Sequence, residues 1–138
     1  MAEVEYLHVC DYAFPAQGGK ACIIGIFKNI SFAKFPGTHA SMFVAVQFQG
    51  GAHEVVPFRI ELGKSNGDVI VHADGTANMG PEGAGFLGLQ LIGTTFPEQG
   101  RYTVKVLSAG RTLATDSIRL NLIPQSGAPP AGFPERRH

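Results

Sequence analysis

The chain has 138 residues with 11 basic and 11 acidic side chains, enough for one domain whose hydrophobic core needs neither disulfides nor a metal. Basic residues are scattered singly through residues 1–123, which disfavours nucleic-acid binding because that requires a basic surface stripe. The N-terminus lacks the positive and apolar segments of a signal peptide, and no apolar stretch approaches the ~20 residues of a membrane span. We therefore expect a cytoplasmic protein that contacts neither nucleic acid nor membrane.

Alternation of apolar and polar residues dominates the chain and predicts β-strands with one buried face. Glycine, proline and asparagine mark the turns between them, for example at Ser65–Asp68 and Ala109–Gly110. About eight strands are predicted, near residues 4–12, 20–28, 42–48, 55–62, 69–71, 86–92, 101–107 and 112–122. This pattern indicates an all-β domain, an antiparallel β-sandwich.

Two stretches, 22–27 and 86–92, are apolar on both phases of the alternation. Such runs are typical of central strands that are covered on both sides. Pro57 falls on the polar phase of another strand, and proline cannot donate a ladder hydrogen bond, which predicts an edge strand or a bulge there.

One local pattern sharpens the fold class. Tyr102 opens the penultimate strand directly after a corner that contains Pro97 and Gly100. This arrangement resembles the tyrosine corner of immunoglobulin-like sandwiches, in which the phenol bonds to nearby backbone. The chain has no tryptophan, so an antibody-type domain is excluded and an immunoglobulin-like sandwich is predicted.

The two cysteines lie on the first predicted hairpin. A turn centred near Ala16 would place Cys10 directly opposite Cys22. Free thiols are the default in a reducing cytoplasm, so we expect two buried, inert thiols, with a disulfide as the alternative. A metal cluster with His8 is a further alternative, but it lacks a fourth ligand and zinc-type spacing.

The stretch from Asp74 to Gly85 is rich in glycine and polar residues, and it is predicted to be a long loop. Asn78 and Glu82 are its candidate contact residues for a partner. Oxygen ligands here could hold calcium, although the carboxylates are too sparse for an EF-hand. His72 shares a strand face with Asp74 by alternation, which is more typical of a surface pair than of a catalytic one.

Residues 124–138 form a separate segment, because proline and glycine crowd into it and prevent a ladder or a helix. The predicted organisation is a sandwich domain at 1–123 followed by an extended tail at 124–138. Five residues of the tail are candidate partner contacts: Pro129, Pro130, Phe133, Arg136 and Arg137.

Several short motifs resemble a family of small bacterial β-sandwich proteins of unknown function. They are Cys10–Ala13, Gly19–Lys20 leading into Ile23–Phe27, Phe35–Pro36 with His39, and Phe96–Tyr102. The resemblance covers roughly residues 5–122. It implies bacterial origin and a sandwich fold, and it brings no activity and no catalytic residues.

No nucleophile elbow, phosphate-binding loop or metalloprotease motif occurs. The sequence therefore predicts a non-enzymatic protein-interaction or structural module without a cofactor. It would bind a protein partner, or itself, through a sheet edge, the loop 74–85 and the tail. The alternative is a sandwich that binds a small ligand or a carbohydrate.

Overall fold

The computed structural model describes residues 2–123, and all of its regular structure is β-strand. The strands are β1 Glu3–Ala16, β2 Lys20–Ile26, β3 Asn29–Phe32, β4 Gly37–Gln49, β5 Val55–Lys64, β6 Val69–Asn78, β7 Ala84–Phe96, β8 Gly100–Ser108 and β9 Arg111–Leu122. Within residues 2–123 there is no helix that is long and apolar enough to cross a membrane.

The strands form two sheets. The first sheet has the order β2-β1-β4-β7, and the second has the order β3-β9-β8-β5-β6. Neighbouring strands are antiparallel, apart from β3 and β9, which pair in parallel. The predicted sandwich is confirmed. The additional strand is β3, whose four residues are too few to show an alternating pattern.

One core lies between the two sheets. Side chains on alternate positions of each sheet meet there, as the period-2 pattern requires. Among its fully buried members are Val9, Val44, Val46 and Phe48 from the first sheet and Ile60, Leu62, Val104, Val106, Ile118 and Leu120 from the second.

The predicted tyrosine corner is confirmed. The hydroxyl of the buried Tyr102 donates a 2.6 Å hydrogen bond to the carbonyl of Glu98 and accepts one of 3.2 Å from the Glu98 N–H. The ring packs edge-on against Phe96 at 5.1 Å between centroids. Both backbone groups of Glu98 are thereby fixed to the start of β8, which closes the corner of this immunoglobulin-like sandwich.

Three predictions about strand position are wrong. The apolar stretches 22–27 and 86–92 lie on β2 and β7, which are the two edges of the first sheet. Pro57 lies on β5, which is an interior strand between β8 and β6. The Pro57 carbonyl points toward β8, where it accepts a 2.6 Å hydrogen bond from the Ser108 hydroxyl. The nitrogen of a strand residue points to the same side as its carbonyl, so the Pro57 nitrogen also faces β8. Backbone pairing between β5 and β8 begins only at Arg59, and the missing N–H of Pro57 therefore costs no hydrogen bond.

Candidate functional site

The hairpin formed by β1 and β2 carries a group of exposed apolar side chains. The exposed fractions are 58% for Tyr12, 45% for Phe14, 53% for Ile24 and 51% for Ile26. Tyr12 pairs directly with Ile24, and alternation places Phe14 on the same face. We call Tyr12, Phe14, Ile24 and Ile26 the hairpin patch.

The opposite face of the hairpin lies on the outside of the first sheet. Ala45 and Gly88 are paired on β4 and β7, and the residues on either side of them point into the main core. Both positions therefore face outward. Ala13 packs here in a second small cluster with Ala45, and a β-carbon at Gly88 would stand 2.4 Å from the Ala13 oxygen. The hairpin backbone can approach the outer face of the sheet this closely because Ala45 and Gly88 have little or no side chain.

This packing explains why the hairpin patch faces outward. Ala13 and Ile23 are paired, and both pack in the second cluster, together with Phe43 and Phe86. Their neighbours along the strands must point the other way. One aromatic of the patch keeps a contact with the sheet, since the Tyr12 ring lies 5.8 Å from that of Phe43.

The strand β2 also forms an unpaired edge of the first sheet within residues 2–123. No charged side chain occurs between Lys20 and Lys28. Charges and prolines usually protect exposed edges from pairing with another chain. Here the edge is interrupted only by Gly25, whose φ of 71° departs from extended backbone. The hairpin therefore combines an apolar face with a little-protected edge.

The cysteine register differs from the prediction. Cys10 pairs with Ile26, and Cys22 pairs with Phe14, because the turn is centred on Gly18 rather than on Ala16. Both thiols are free. Desolvation by burial, with a contribution from the nearby Asp11 carboxylate, raises the pKa of Cys10 to about 11. Cys10 is therefore a protonated, poorly nucleophilic thiol at neutral pH, whereas Cys22 is only half-buried.

The predicted loop 74–85 is largely strand. β6 continues to Asn78, which pairs with Val55, and β7 begins at Ala84. Asn78 and Glu82 are both exposed, but only Glu82 lies in the short turn between the strands. The glycines in this segment are typical of a loop, but Gly75 lies within β6. Its lack of a side chain has a packing reason, since a β-carbon at position 75 would stand 2.8 Å from the Phe58 ring.

The candidate catalytic and metal residues are dispersed. His72 and Asp74 share a face, with 3.9 Å between Nε2 and Oδ2, yet both side chains are exposed on β6. Asp74 also pairs with Arg59 at 3.5 Å. Within residues 2–123, no three His, Cys, Asp or Glu side chains are grouped closely enough to hold a metal ion.

An open cleft of about 360 Å³ lies at one end of the sandwich, between the β4–β5 and β8–β9 turns. Its polar side chains come from Glu54, Ser108 and Arg111, and Pro57 contributes to its wall. The five predicted contacts of the tail, from Pro129 to Arg137, lie outside the described residues.

The hairpin patch was not identified from the sequence, although a signal was present. Ile24 and Ile26 share one phase of the stretch 21–27, which carries no charge. Apolar residues on both phases predict two-sided burial inside a sheet. In the structure, Ile23 is covered by the second cluster, whereas Ile24 and Ile26, on either side of Gly25 with its φ of 71°, are each about half exposed.

Solved structures resemble this fold at low sequence identity. An alkylpurine DNA glycosylase, AlkC, from Pseudomonas fluorescens matches at TM-score 0.52 and 13% identity, over 87% of this chain and 30% of that one. A β-glucosidase from Listeria innocua matches at TM-score 0.50 and 10% identity, over 87% of this chain and 16% of that one. The chain therefore spans less than a third of either enzyme, and the likeness concerns the fold alone.

An immunoglobulin-like protein from Pseudomonas aeruginosa matches at TM-score 0.47 and 14% identity, over 87% of this chain and 96% of that one. No curated protein matches the chain in sequence. The model of one family, described as a family of unknown function, matches residues 5–121. This match covers most of the sandwich and agrees with the resemblance seen in the sequence motifs. The chain belongs to this family, DUF6941.

Proposed function

We propose that this chain is a non-enzymatic protein-interaction module that docks a protein partner on the hairpin patch. The observation that carries the proposal is the exposure of Tyr12, Phe14, Ile24 and Ile26 on one hairpin. With about 200 Å² for a large aromatic side chain, these four expose on the order of 400 Å². Contiguous apolar patches of about 300–600 Å² on monomers are often functional.

The construction of the hairpin supports a recognition role. Aromatic side chains are enriched at interfaces because they offer large contact area at a low cost in conformational entropy. The hairpin packs on the sheet beneath it through Ala13 on Gly88, and this contact orients the patch outward. The exposed edge of β2 adds backbone N–H and C=O groups that an extended partner segment can pair with.

The two thiols support a proposal for the compartment. Free cysteines at positions 10 and 22 favour a reducing environment, and we propose the cytoplasm.

The alternative of a small-ligand or carbohydrate site has less support. The cleft of about 360 Å³ is open and has no aromatic side chain in its lining. The exposed aromatics of the hairpin are paired with Ile24 and Cys22, which offer no oxygen or nitrogen groups in their side chains for a sugar.

The test compares three versions of the full chain as bait in lysate of the source organism: the natural sequence, the double variant Ile24→Thr/Ile26→Thr, and Val55→Thr. Threonine keeps the β-branched shape. Val55 is a matched control, because it is 60% exposed and lies on β5 of the other sheet. We expect the natural chain and the control to retain the same protein and the double variant to lose it.

The retained protein is then purified and its affinity for each bait is measured by calorimetry. Loss of several buried aliphatic contacts predicts at least a ~10-fold weaker binding for the double variant, which corresponds to about 1.4 kcal/mol. Equal affinity for all three baits would show that the partner docks elsewhere.

A further inference from the structure

We propose that Arg101 and Arg119, on the outer face of the second sheet, form a binding site for a phosphate group. We call these two residues the arginine pair. They lie on the neighbouring strands β8 and β9 in the interior of that sheet, and the ladder places them directly opposite each other. The proposal is independent of the hairpin patch, which belongs to the first sheet.

The arginine pair points away from the core. Tyr102 follows one arginine and Ile118 precedes the other, and both of these residues are buried in the core. Because side chains alternate between the two faces of a strand, the arginines lie on the outer face, and both are exposed. Directly opposed residues of an antiparallel pair have β-carbons about 4.5–5.5 Å apart. One small ligand can therefore contact both guanidinium groups.

The arginine pair is not neutralised by a carboxylate of the chain. Glu98, in the turn before β8, forms an ion pair with Lys64 at 2.7 Å. Asp116 is the only acidic residue of β8 and β9, but it lies on the core-facing phase and pairs with Lys28 at 2.5 Å. Among residues 2–123, no carboxylate forms an ion pair with either arginine. Like charges directly opposite each other destabilise a sheet, and a bound anion would remove this repulsion.

The surroundings add hydrogen-bond donors. The next pair on the same face consists of Thr103 and Ser117, whose hydroxyl-bearing side chains are partly exposed. Two residues further along β8, Lys105 lies opposite Glu61 of β5. The Glu61 carboxylate accepts a 2.8 Å hydrogen bond from Arg59, so that this acid already has a cationic partner. The end of the face that holds the arginine pair therefore offers two guanidinium groups and two hydroxyls.

A phosphate group matches this end of the face in charge and in geometry. As a monoester it carries about −1.5 to −2 charges at neutral pH and has three terminal oxygens, against one positive charge on each arginine. Guanidinium groups bind phosphate oxygens through two parallel N–H···O bonds, which a point charge cannot do. A carboxylate has one charge and two oxygens, too few for both guanidinium groups and the hydroxyls. The ligand class is therefore phosphate rather than carboxylate.

Calorimetric titration of the purified full chain with inorganic phosphate tests the site, with sodium chloride added to hold the ionic strength constant. The variants are Arg101→Gln and Arg119→Gln, each of which removes one charge from an exposed side chain. Lys20→Gln is the matched control, because it removes one charge from an exposed side chain of the first sheet. We expect at least ~10-fold weaker binding for each arginine variant and unchanged binding for the control.

Thermal unfolding distinguishes a binding role of Arg119 from a structural one. Without phosphate and at low ionic strength, Arg119→Gln should melt no lower than the natural chain, because it removes a like-charge pair. Phosphate should raise the melting temperature of the natural chain, since it binds the folded state, and should raise that of the variant much less. A variant that melts lower than the natural chain by the same amount in both buffers would make Arg119 structural and overturn the proposal.

Two further ligands identify the source and the chemistry of the anion. Glycerol 3-phosphate is a phosphate monoester: tighter binding than inorganic phosphate would indicate a phosphate group carried by a larger molecule, and equal or weaker binding would indicate the free ion. Sodium acetate should bind at least ~10-fold more weakly than phosphate. The proposal is overturned if acetate binds as tightly as phosphate, if phosphate acts no more strongly than chloride, or if Lys20→Gln weakens binding as much as the arginine variants.

Discussion

Gly88 on β7 lies against the backbone of Ala13, so that a β-carbon at position 88 would stand 2.4 Å from the Ala13 oxygen. The obstructing atom belongs to backbone and cannot rotate away. We therefore expect Gly88→Ala to lower the free energy of unfolding by about 1–3 kcal/mol, the usual range for overpacking. Urea denaturation of the purified protein measures it.

The matched control is Gly80→Ala, because a β-carbon there would meet its nearest atom at an ordinary 3.6 Å. It should change stability by no more than about 0.5 kcal/mol. If Gly88→Ala lifts the hairpin, trypsin should also cut faster after the exposed Lys20. Equal stability and equal cleavage for both variants would mean that the hairpin does not rest on Gly88.

The tyrosine corner yields a second prediction. Tyr102→Phe removes a hydroxyl that donates to the Glu98 carbonyl and accepts from the Glu98 N–H. Loss of these bonds at a buried ring should cost about 1–2 kcal/mol in the free energy of unfolding. Tyr12→Phe removes a hydroxyl from a ring that is mostly exposed and should cost little. If Tyr102→Phe were as stable as the natural protein, the hydrogen bonds of the Tyr102 hydroxyl would not contribute to the stability of the fold.

Cys10 gives a pH dependence. Burial raises its pKa to about 11 from an ordinary 9.0, so the folded state favours the protonated thiol. Its contribution to stability is complete below about pH 9 and is lost as the pH rises toward 11, because the unfolded state gives up the proton first. Cys10→Ala lacks this contribution. The difference in unfolding free energy between the natural chain and Cys10→Ala should therefore shrink between pH 9 and 10.5, and a difference that stays constant would contradict the assignment.

The hairpin isoleucines should matter little for folding. Ile24 and Ile26 are about half exposed, and threonine keeps the β-branched shape that strands favour. We expect Ile24→Thr/Ile26→Thr to change the unfolding free energy by less than about 1 kcal/mol and to reduce binding of a hydrophobic dye. Val55→Thr should leave dye binding unchanged. A loss of stability well beyond that range would identify these side chains as structural.

The sequence predicts well what depends on local pattern. Alternating and continuous apolar runs located eight of the nine strands within residues 2–123, and the spacing of Pro97, Gly100 and Tyr102 located the corner, because these features arise from neighbours along the chain. The position of a strand in its sheet depends on distant partners. The same apolar run at 86–92 could sit in the centre of a sheet or, as found, at an edge beneath a hairpin.

The candidate site required the structure for a similar reason. The hairpin register changed with the turn centre, and a shift of that centre by two residues replaced Cys22 with Ile26 as the partner of Cys10. The exposure of Ile24 follows from the hairpin crossing the outside of the sheet, which small residues at 45 and 88 permit. Alanine and glycine at those positions carry no recognisable motif.

The docking of a protein on the hairpin patch is tested most directly by photo-crosslinking in cells of the source organism. A benzoylphenylalanine at position 14 replaces an exposed aromatic of the patch, and the same residue at position 55 reports on the other sheet. Both are placed in the full chain. We predict one defined adduct with another protein from position 14 and none of that mass from position 55. Absence of an adduct from position 14, or the same adduct from both positions, would contradict the hairpin patch as the docking surface.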